Sequence, residues 1–134
     1  MKWLLLLVVG CATSKHGETT GAMPPMRDQR AEIDRLAADI EAKRGELQLL
    51  EPTQDQLDHA PTEATVNPIK DPSCRPAQND TCKTSCTLGD SICDNAHRIC
   101  ELARSLPGDM YATQKCARAN TVCEAASEKC CKCR

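Results

Sequence analysis

The spacing of the cysteines constrains the fold of this chain more than any other feature of its sequence. Ten of its eleven cysteines lie between positions 74 and 134. Six of these form two series whose successive members are seven residues apart: Cys86, Cys93 and Cys100, then Cys116, Cys123 and Cys130. Since seven residues make two turns of an α-helix, each series marks one stripe along a helix.

The segment between the two series predicts how the helices are arranged. Leu106-Pro107-Gly108-Asp109 is a strong turn signal, and Asp109 can cap the second helix. Facing residues of an antiparallel helix pair lie equally far from the turn, and Gly108 is the midpoint between the two series. This symmetry predicts three disulfides: Cys100–Cys116, Cys93–Cys123 and Cys86–Cys130.

The remaining cysteines extend the same rule towards the end of the chain. Cys82 is assigned to Cys133, which leaves Cys74 for Cys131. We expect the first helix to break at Leu88-Gly89-Asp90 and to be capped by Asp90 or Ser91. A disulfide needs Cα atoms about 4.4–6.8 Å apart, closer than helices usually pack. Small residues on the same stripes permit that approach: Ala96, Ala103, Ala119 and Ala126.

The composition explains why cross-links are needed. The 134 residues contain no Phe, one Trp and one Tyr, and the Trp lies in a segment that we expect to be removed. A small domain with so weak a core requires staples, and the even number of cysteines in residues 74–134 favours disulfides in an oxidising compartment. The predicted fold class is all-α. Its core would consist of alanines together with Ile92, Ile99, Leu102 and Leu106.

The first residues indicate export and lipid attachment. Lys2 precedes seven apolar residues, at 3–9, which are too few to span a bilayer. The sequence Val8-Val9-Gly10-Cys11 resembles the lipobox of bacterial lipoproteins. This resemblance implies a signal peptide at 1–10, cleavage before Cys11 and a lipid anchor on that cysteine. Because Ala12 is not Asp, it also implies a place in the cell envelope at the outer membrane. The alternative is an ordinary secretory peptide with Cys11 as one more structural cysteine.

Three segments of different character precede the cysteine-rich region. Residues 11–25 are rich in Thr, Ser, Gly and Pro, which is typical of a flexible tether. Residues 26–50 carry apolar side chains at a/d spacing, with Met26, Ile33, Ile40 and Leu47 seven apart. This pattern fits either a homo-oligomeric coiled coil or an amphipathic helix that packs on its own chain. Residues 51–80 contain five prolines and predict an extended linker.

Residues 81–134 are therefore predicted to form a disulfide-stapled α-hairpin. The arms and the Pro-Gly-Asp turn resemble uncharacterised cysteine-rich lipoproteins of myxobacteria-like organisms. The hairpin is also similar in principle to the twin-cysteine hairpins of mitochondria and plant peptides. Those proteins have three or nine residues between paired cysteines, not the six found here, so no function is transferred from them.

The candidate sites favour structural roles over chemical ones. Cys130, Cys131 and Cys133 form a cluster that would suit Cu(I) or Zn, although an oxidising compartment favours disulfides there. Asp90 and Asp94 are spaced for a cation, or are ordinary helix-start charges. His97 is expected on the solvated face, and Tyr111 near the turn.

These patterns predict that the protein has no cofactor and is not an enzyme. The preferred function is a lipid-anchored envelope protein that displays a rigid helical module to an unidentified envelope protein. The alternatives are soft-metal binding or thiol sequestration, and thiol–disulfide exchange is the least favoured. With a net charge of −2 and mixed signs along the chain, nothing suggests a nucleic-acid partner.

Overall fold

A computed structural model describes residues 25–134, and this part of the chain is helical without a β-strand. The four α-helices are α1 (Met26–Glu46), α2 (Gln54–His59), α3 (Asp80–Arg104) and α4 (Met110–Cys131), and a 3-10 turn spans Pro68–Lys70. The all-α fold class is thus confirmed. The predicted signal peptide at 1–10, the lipidated Cys11 and the tether at 11–25, except its last residue, lie outside the described residues.

Helices α3 and α4 form the predicted antiparallel hairpin. The chain reverses at Gly108, whose φ of +79° suits glycine, and the Asp109 side chain then accepts a hydrogen bond from the Ala112 amide at 3.1 Å. The interface between the two helices is lined by buried alanines and cysteines. The core residues expected from the sequence, Ile92, Ile99, Leu102 and Leu106, are all buried.

The predicted break in the first arm is wrong, because α3 continues through Leu88-Gly89-Asp90. Its cap is Asn79, whose side chain accepts a hydrogen bond from the Cys82 amide at 2.9 Å, so neither Asp90 nor Ser91 caps it. Gly89 serves close packing. A Cβ atom at this position would lie 2.8 Å from Ile69 Cδ1 and 3.3 Å from the Ala126 carbonyl oxygen. Glycine therefore lets Ile69 and Ala126 pack closely against the helix, and no break follows.

Helix α1 lies across the hairpin and packs on both α3 and α4. Its apolar stripe, Ile33, Leu36 and Ile40, is buried together with Leu47 just after the helix. The face that a coiled coil would use is therefore covered by the chain's own hairpin, which is the second of the two alternatives. Of the apolar residues at a/d spacing in 26–50, only the first and the last are solvated, since Met26 is 61% exposed and Leu50 is 90% exposed.

The segment 51–80, predicted as an extended linker, contains regular structure, because α2 and the 3-10 turn lie within it. Thr53 and Gln56 form a capping box that starts α2, and this helix packs on α4. Further along, Asn120 of α4 donates hydrogen bonds to the carbonyl oxygens of Pro61 and Glu63 at 2.7 and 3.0 Å. The segment has few apolar residues, so its backbone is held mainly by polar side chains of the hairpin. Hydropathy alone does not reveal such an attachment.

No helix among the described residues is both long enough and apolar enough to cross a membrane.

The packing of α1 can be tested by truncating its stripe. Ile33 has no exposed surface, so we expect Ile33→Ala to lower the free energy of unfolding by about 2–5 kcal/mol. Guanidinium unfolding, with amide hydrogen exchange to locate the change, measures this. Leu50→Ala is the matched control and should change stability by less than about 0.5 kcal/mol. Equal effects of the two substitutions would contradict the docked position of α1.

Candidate functional site

All ten cysteines of the described residues are joined in disulfides that cross-link α3, α4 and the segment before α3. The pairs are Cys74–Cys131, Cys82–Cys133, Cys86–Cys130, Cys93–Cys123 and Cys100–Cys116. These are the five pairs that the cysteine spacing predicts. Four have Cα atoms only 4.6–4.7 Å apart, and the fifth, Cys82–Cys133, has them 5.6 Å apart. Such an approach is available because the residues between them are small.

The disulfides differ in their exposure to solvent. Near the turn, all four cysteines of Cys93–Cys123 and Cys100–Cys116 are buried. At the other end of the hairpin, Cys74–Cys131 consists of two partly exposed residues. Both residues line an open groove of about 630 Å³, here called the Cys74 groove. A reagent in solution therefore meets this disulfide before the buried ones.

The cysteines at the open end form disulfides, which the sequence favoured there over a soft-metal cluster of Cys130, Cys131 and Cys133. Cys130, Cys131 and Cys133 belong to three separate disulfides, and Cys133 lies outside the compact sulfur group. That group contains Cys74 in its place, and the Sγ atoms of Cys74, Cys130 and Cys131 all lie within 4.8 Å of one another. The Sγ atoms of Cys74 and Cys130, which are not bonded to each other, are 3.9 Å apart. The sequence leaves Cys74 as the partner of Cys131, but no spacing indicates that its Sγ atom also lies close to that of Cys130.

A second groove lies beside the first. It has a volume of about 790 Å³, runs between the segment after α1 and the outer face of α4, and is here called the Leu50 groove. Glu128 and Lys132 line both grooves and form an ion pair of 3.2 Å between them. Leu50 in one groove is 90% exposed and Val66 in the other is 88% exposed. Two large apolar side chains are thus presented to solvent on either side of a charged ridge.

Asp90 and Asp94, the acidic pair on α3, form ion pairs with Lys70 of the 3-10 turn. Lys70 Nζ donates a hydrogen bond to Asp94 Oδ1 at 2.8 Å and lies 3.7 Å from Asp90 Oδ1. The buried Asn67 amide donates to both carboxylates, at 2.7 and 3.1 Å. The hydrogen bond from Lys70 lowers the pKa of Asp94. Asp90 and Asp94 therefore hold the 3-10 turn against α3, and they are more than ordinary helix-start charges.

A network of charged side chains joins α1 to α4. Glu41 accepts hydrogen bonds from Arg118 at 2.9 Å and from Arg44 at 2.7 Å, and both arginines also contact Glu51. Partial burial raises the pKa of Glu41, but the hydrogen bonds from Arg118 and Arg44 outweigh it, so the pKa is lowered overall. This network fixes the position of α1 and of the chain that follows it.

Tyr111 and His97 have structural contacts. The Tyr111 hydroxyl donates a hydrogen bond to Asp34 of α1, and its ring lies 5.6 Å from the Arg30 guanidinium and 5.2 Å from Lys115 Nζ. It thereby joins α1 to α4 close to the turn. His97 lies on the partly solvated side of α3 as expected, with Nδ1 3.1 Å from the Thr65 carbonyl oxygen.

Comparison of the chain with protein-family models, with curated proteins and with solved structures finds no match. The functional inference therefore depends on the residues and their geometry alone.

The attachment of the 3-10 turn can be tested at Asn67. Replacing it with alanine removes the hydrogen bonds to both aspartates, and we expect Asn67→Ala to cost about 1–3 kcal/mol. The loss should appear as faster amide exchange and proteolysis around residues 61–73. The exposed Gln78→Ala in the same connecting segment is the control and should leave both unchanged. Unchanged exchange in Asn67→Ala would show that the turn is held by other contacts.

The ion-pair network predicts a dependence of stability on pH. Because the pKa of Glu41 is below its ordinary value of 4.5, its stabilising effect is present above that pH and is lost as the pH falls further. We expect Glu41→Gln to lower stability by about 1 kcal/mol at pH 7 and by much less near pH 3. Urea unfolding at the two values measures the difference. Glu124→Gln, at an exposed position of α4, is the control, and a pH-independent loss in Glu41→Gln would refute the argument.

Proposed function

We propose that this chain is a lipid-anchored protein of the bacterial cell envelope that presents a rigid, disulfide-stapled helical module to a protein partner. The observation that carries the proposal is the set of five disulfides across one helical hairpin. Each contributes about 2–4 kcal/mol by restricting the unfolded chain. A surface held this rigidly loses little conformational entropy when it binds, which favours recognition.

The two grooves supply the surface for such recognition. The Leu50 and Cys74 grooves are adjacent, have apolar residues in their walls and are separated by the Glu128–Lys132 pair. Exposed apolar side chains bordered by charges are typical of protein interaction sites. The apolar face of α1 is already buried on the hairpin, so the proposed partner is another envelope protein, and self-association through 26–50 is not required.

The anchor and the location rest on the lipobox resemblance at Val8-Val9-Gly10-Cys11. Lipid chains on Cys11 would hold the protein to the outer membrane, and the residues before α1 would separate the module from the lipid surface. The disulfide-rich module supports export, because disulfides persist in oxidising compartments.

A role without catalysis is the accompanying proposal. Many ionisable side chains of the described residues form ion pairs that join helices, as Glu41 and Arg118 do, or hold turns, as Lys70 and Asp94 do. Tyr111 is likewise engaged with Asp34. These groups are used for docking, which supports a structural or interaction role for the module.

The anchor is tested by Cys11→Ser. We expect the unsubstituted protein to fractionate with membranes and to carry a lipid on its N-terminal cysteine by mass spectrometry. The Cys11→Ser variant should be released as unlipidated protein with all five disulfides intact. Membrane retention of that variant would refute lipid attachment while leaving the interaction proposal standing.

The interaction surface is tested separately by photo-crosslinking in intact cells. A photoreactive residue at Leu50 or Val66 should give an adduct of defined mass, and the same residue at the exposed Gln114 should not. The adduct at Leu50 should disappear when the rim is altered by Lys132→Glu, which breaks the ion pair with Glu128. Equal adducts at all three positions, or none at Leu50 and Val66, would contradict a partner at this surface.

A further inference from the structure

Two disulfides meet at the open end of the hairpin. Cys130 and Cys131 are consecutive residues at the end of α4, yet they bond to different elements: Cys130 to Cys86 of α3, and Cys131 to Cys74 of the preceding segment. The Sγ atoms of Cys74, Cys130 and Cys131 form one group within 4.8 Å. Cys86 adds a fourth sulfur through its bond to Cys130. The fold thus gathers four sulfur atoms from three separate places in the chain.

One sulfur–sulfur separation in this group already equals that of a metal site. Zinc binds thiolate sulfur at about 2.3 Å, so neighbouring sulfurs of a tetrahedral zinc–thiolate site lie about 3.8 Å apart. The non-bonded Sγ atoms of Cys74 and Cys130 are already 3.9 Å apart. Once their bonds are cut, the bonded partners in Cys74–Cys131 and Cys86–Cys130 would separate. Cys86, which is not a member of the 4.8 Å group, would also have to move towards the other sulfurs.

We propose that these two disulfides are the oxidised form of a thiolate site for a soft metal ion, with Zn²⁺ as the probe, formed by Cys74, Cys86, Cys130 and Cys131. A dithiol reductant converts the pair of disulfides into this site. Metal binding by the reduced cysteines goes beyond display of a rigid module and does not depend on the lipid anchor. It differs from the cluster suggested by sequence, because Cys74 and Cys86 replace Cys133.

Reduction begins at the partly exposed Cys74–Cys131 disulfide in its groove. A thiolate of the dithiol attacks one sulfur and forms a mixed disulfide. The second thiol of the reductant then attacks the mixed disulfide. This forms the cyclic disulfide of the oxidised reductant and leaves Cys74 and Cys131 reduced. Two electrons have passed to the protein, and the two protons of the dithiol balance the two new thiols.

The second disulfide, in which Cys130 is buried and Cys86 is partly exposed, is reached from inside the protein. The freed Cys74 thiolate lies 3.9 Å from the Cys130 sulfur and attacks it, which forms a Cys74–Cys130 bond and expels Cys86 as a thiolate. A second dithiol reduces the new bond. Four cysteine thiols result, and Zn²⁺ displaces their four protons when it binds. Thiolates are the ligands that select zinc and Cu(I) over harder cations.

Three disulfides keep the site in shape during reduction. Cys93–Cys123 and Cys100–Cys116 are buried near the turn, away from the reductant. Cys82–Cys133 fixes the end of the chain next to Cys131, and the Ala77 amide donates a hydrogen bond to the Cys133 carbonyl oxygen at 2.9 Å. The segment that carries Cys74 therefore stays close to α4 after its own disulfide opens.

The experiment is a stepwise reduction of the full chain with dithiothreitol without oxygen, followed by alkylation and mapping of the cysteines by mass. We expect Cys74, Cys86, Cys130 and Cys131 to become reactive first, while Cys93–Cys123 and Cys100–Cys116 stay linked. Zinc chloride alone is added to the partly reduced protein before alkylation. We expect one zinc ion to bind per chain and to protect the same four cysteines from alkylation.

Matched variants separate the site from general thiol chemistry. Cys74→Ser combined with Cys131→Ser should abolish stoichiometric zinc binding. Cys100→Ser combined with Cys116→Ser removes as many cysteines at the other end of the hairpin and should retain it. If that control does not fold, Cys11→Ser takes its place, because it removes a cysteine that none of the five disulfides uses, and it should also retain zinc.

Three results would overturn the proposal. They are simultaneous reduction of all five disulfides, a reduced four-cysteine form that binds no zinc, and zinc binding that persists in the variant lacking Cys74 and Cys131. None of these results bears on the lipid anchor or on the photo-crosslinking at the two grooves, so the proposed function is tested independently.

Discussion

The close approach of α3 and α4 is the constraint on which the rest of the structure depends. Helices that pack through large side chains lie about 8–10 Å apart, a separation that most disulfides cannot span. Here alanines and cysteines share the interface, and paired Cα atoms come within 4.7 Å in four of the five disulfides. The small side chains permit the cross-links, and the cross-links compensate for the small apolar area that such side chains bury.

The other elements attach to this hairpin by two different means. Helix α1 docks through Ile33, Leu36 and Ile40, which is ordinary apolar burial. The segment between α1 and α3 docks mainly through polar contacts, with Asn120 holding its backbone and Asp94 holding Lys70. Since charged and polar contacts of this kind weaken in acid or salt, the segment should be the more responsive part of the module.

The graded exposure of the disulfides relates the fold to its proposed roles. The buried pairs near the turn keep the hairpin rigid, which suits a module displayed to a partner. The partly exposed Cys74–Cys131 pair stands next to Cys130 in a groove, where a reductant has access. One hairpin thus combines a permanent scaffold at the turn with a chemically accessible group at the open end, beside the apolar side chains proposed for recognition.

The hairpin follows from local sequence patterns. A seven-residue cysteine spacing, a Pro-Gly-Asp turn and equal distances from Gly108 are enough to orient two helices and pair their cysteines, because helical periodicity is a local property. The stripe of α1 was equally visible, but its pattern does not say which apolar surface covers it.

The remaining features depend on contacts that form when the helices pack. Gly89 looked like a helix break, yet it is glycine because Ile69 and Ala126 approach it from outside the helix. The proline-rich segment looked like a linker, yet hydrogen bonds from Asn67 and Asn120 give it a fixed path. Cys74 lies beside Cys130 as well as its partner Cys131, and the pairing alone does not show this second contact. Each of these outcomes depends on contacts between residues far apart in the chain, and a one-dimensional pattern carries no record of them.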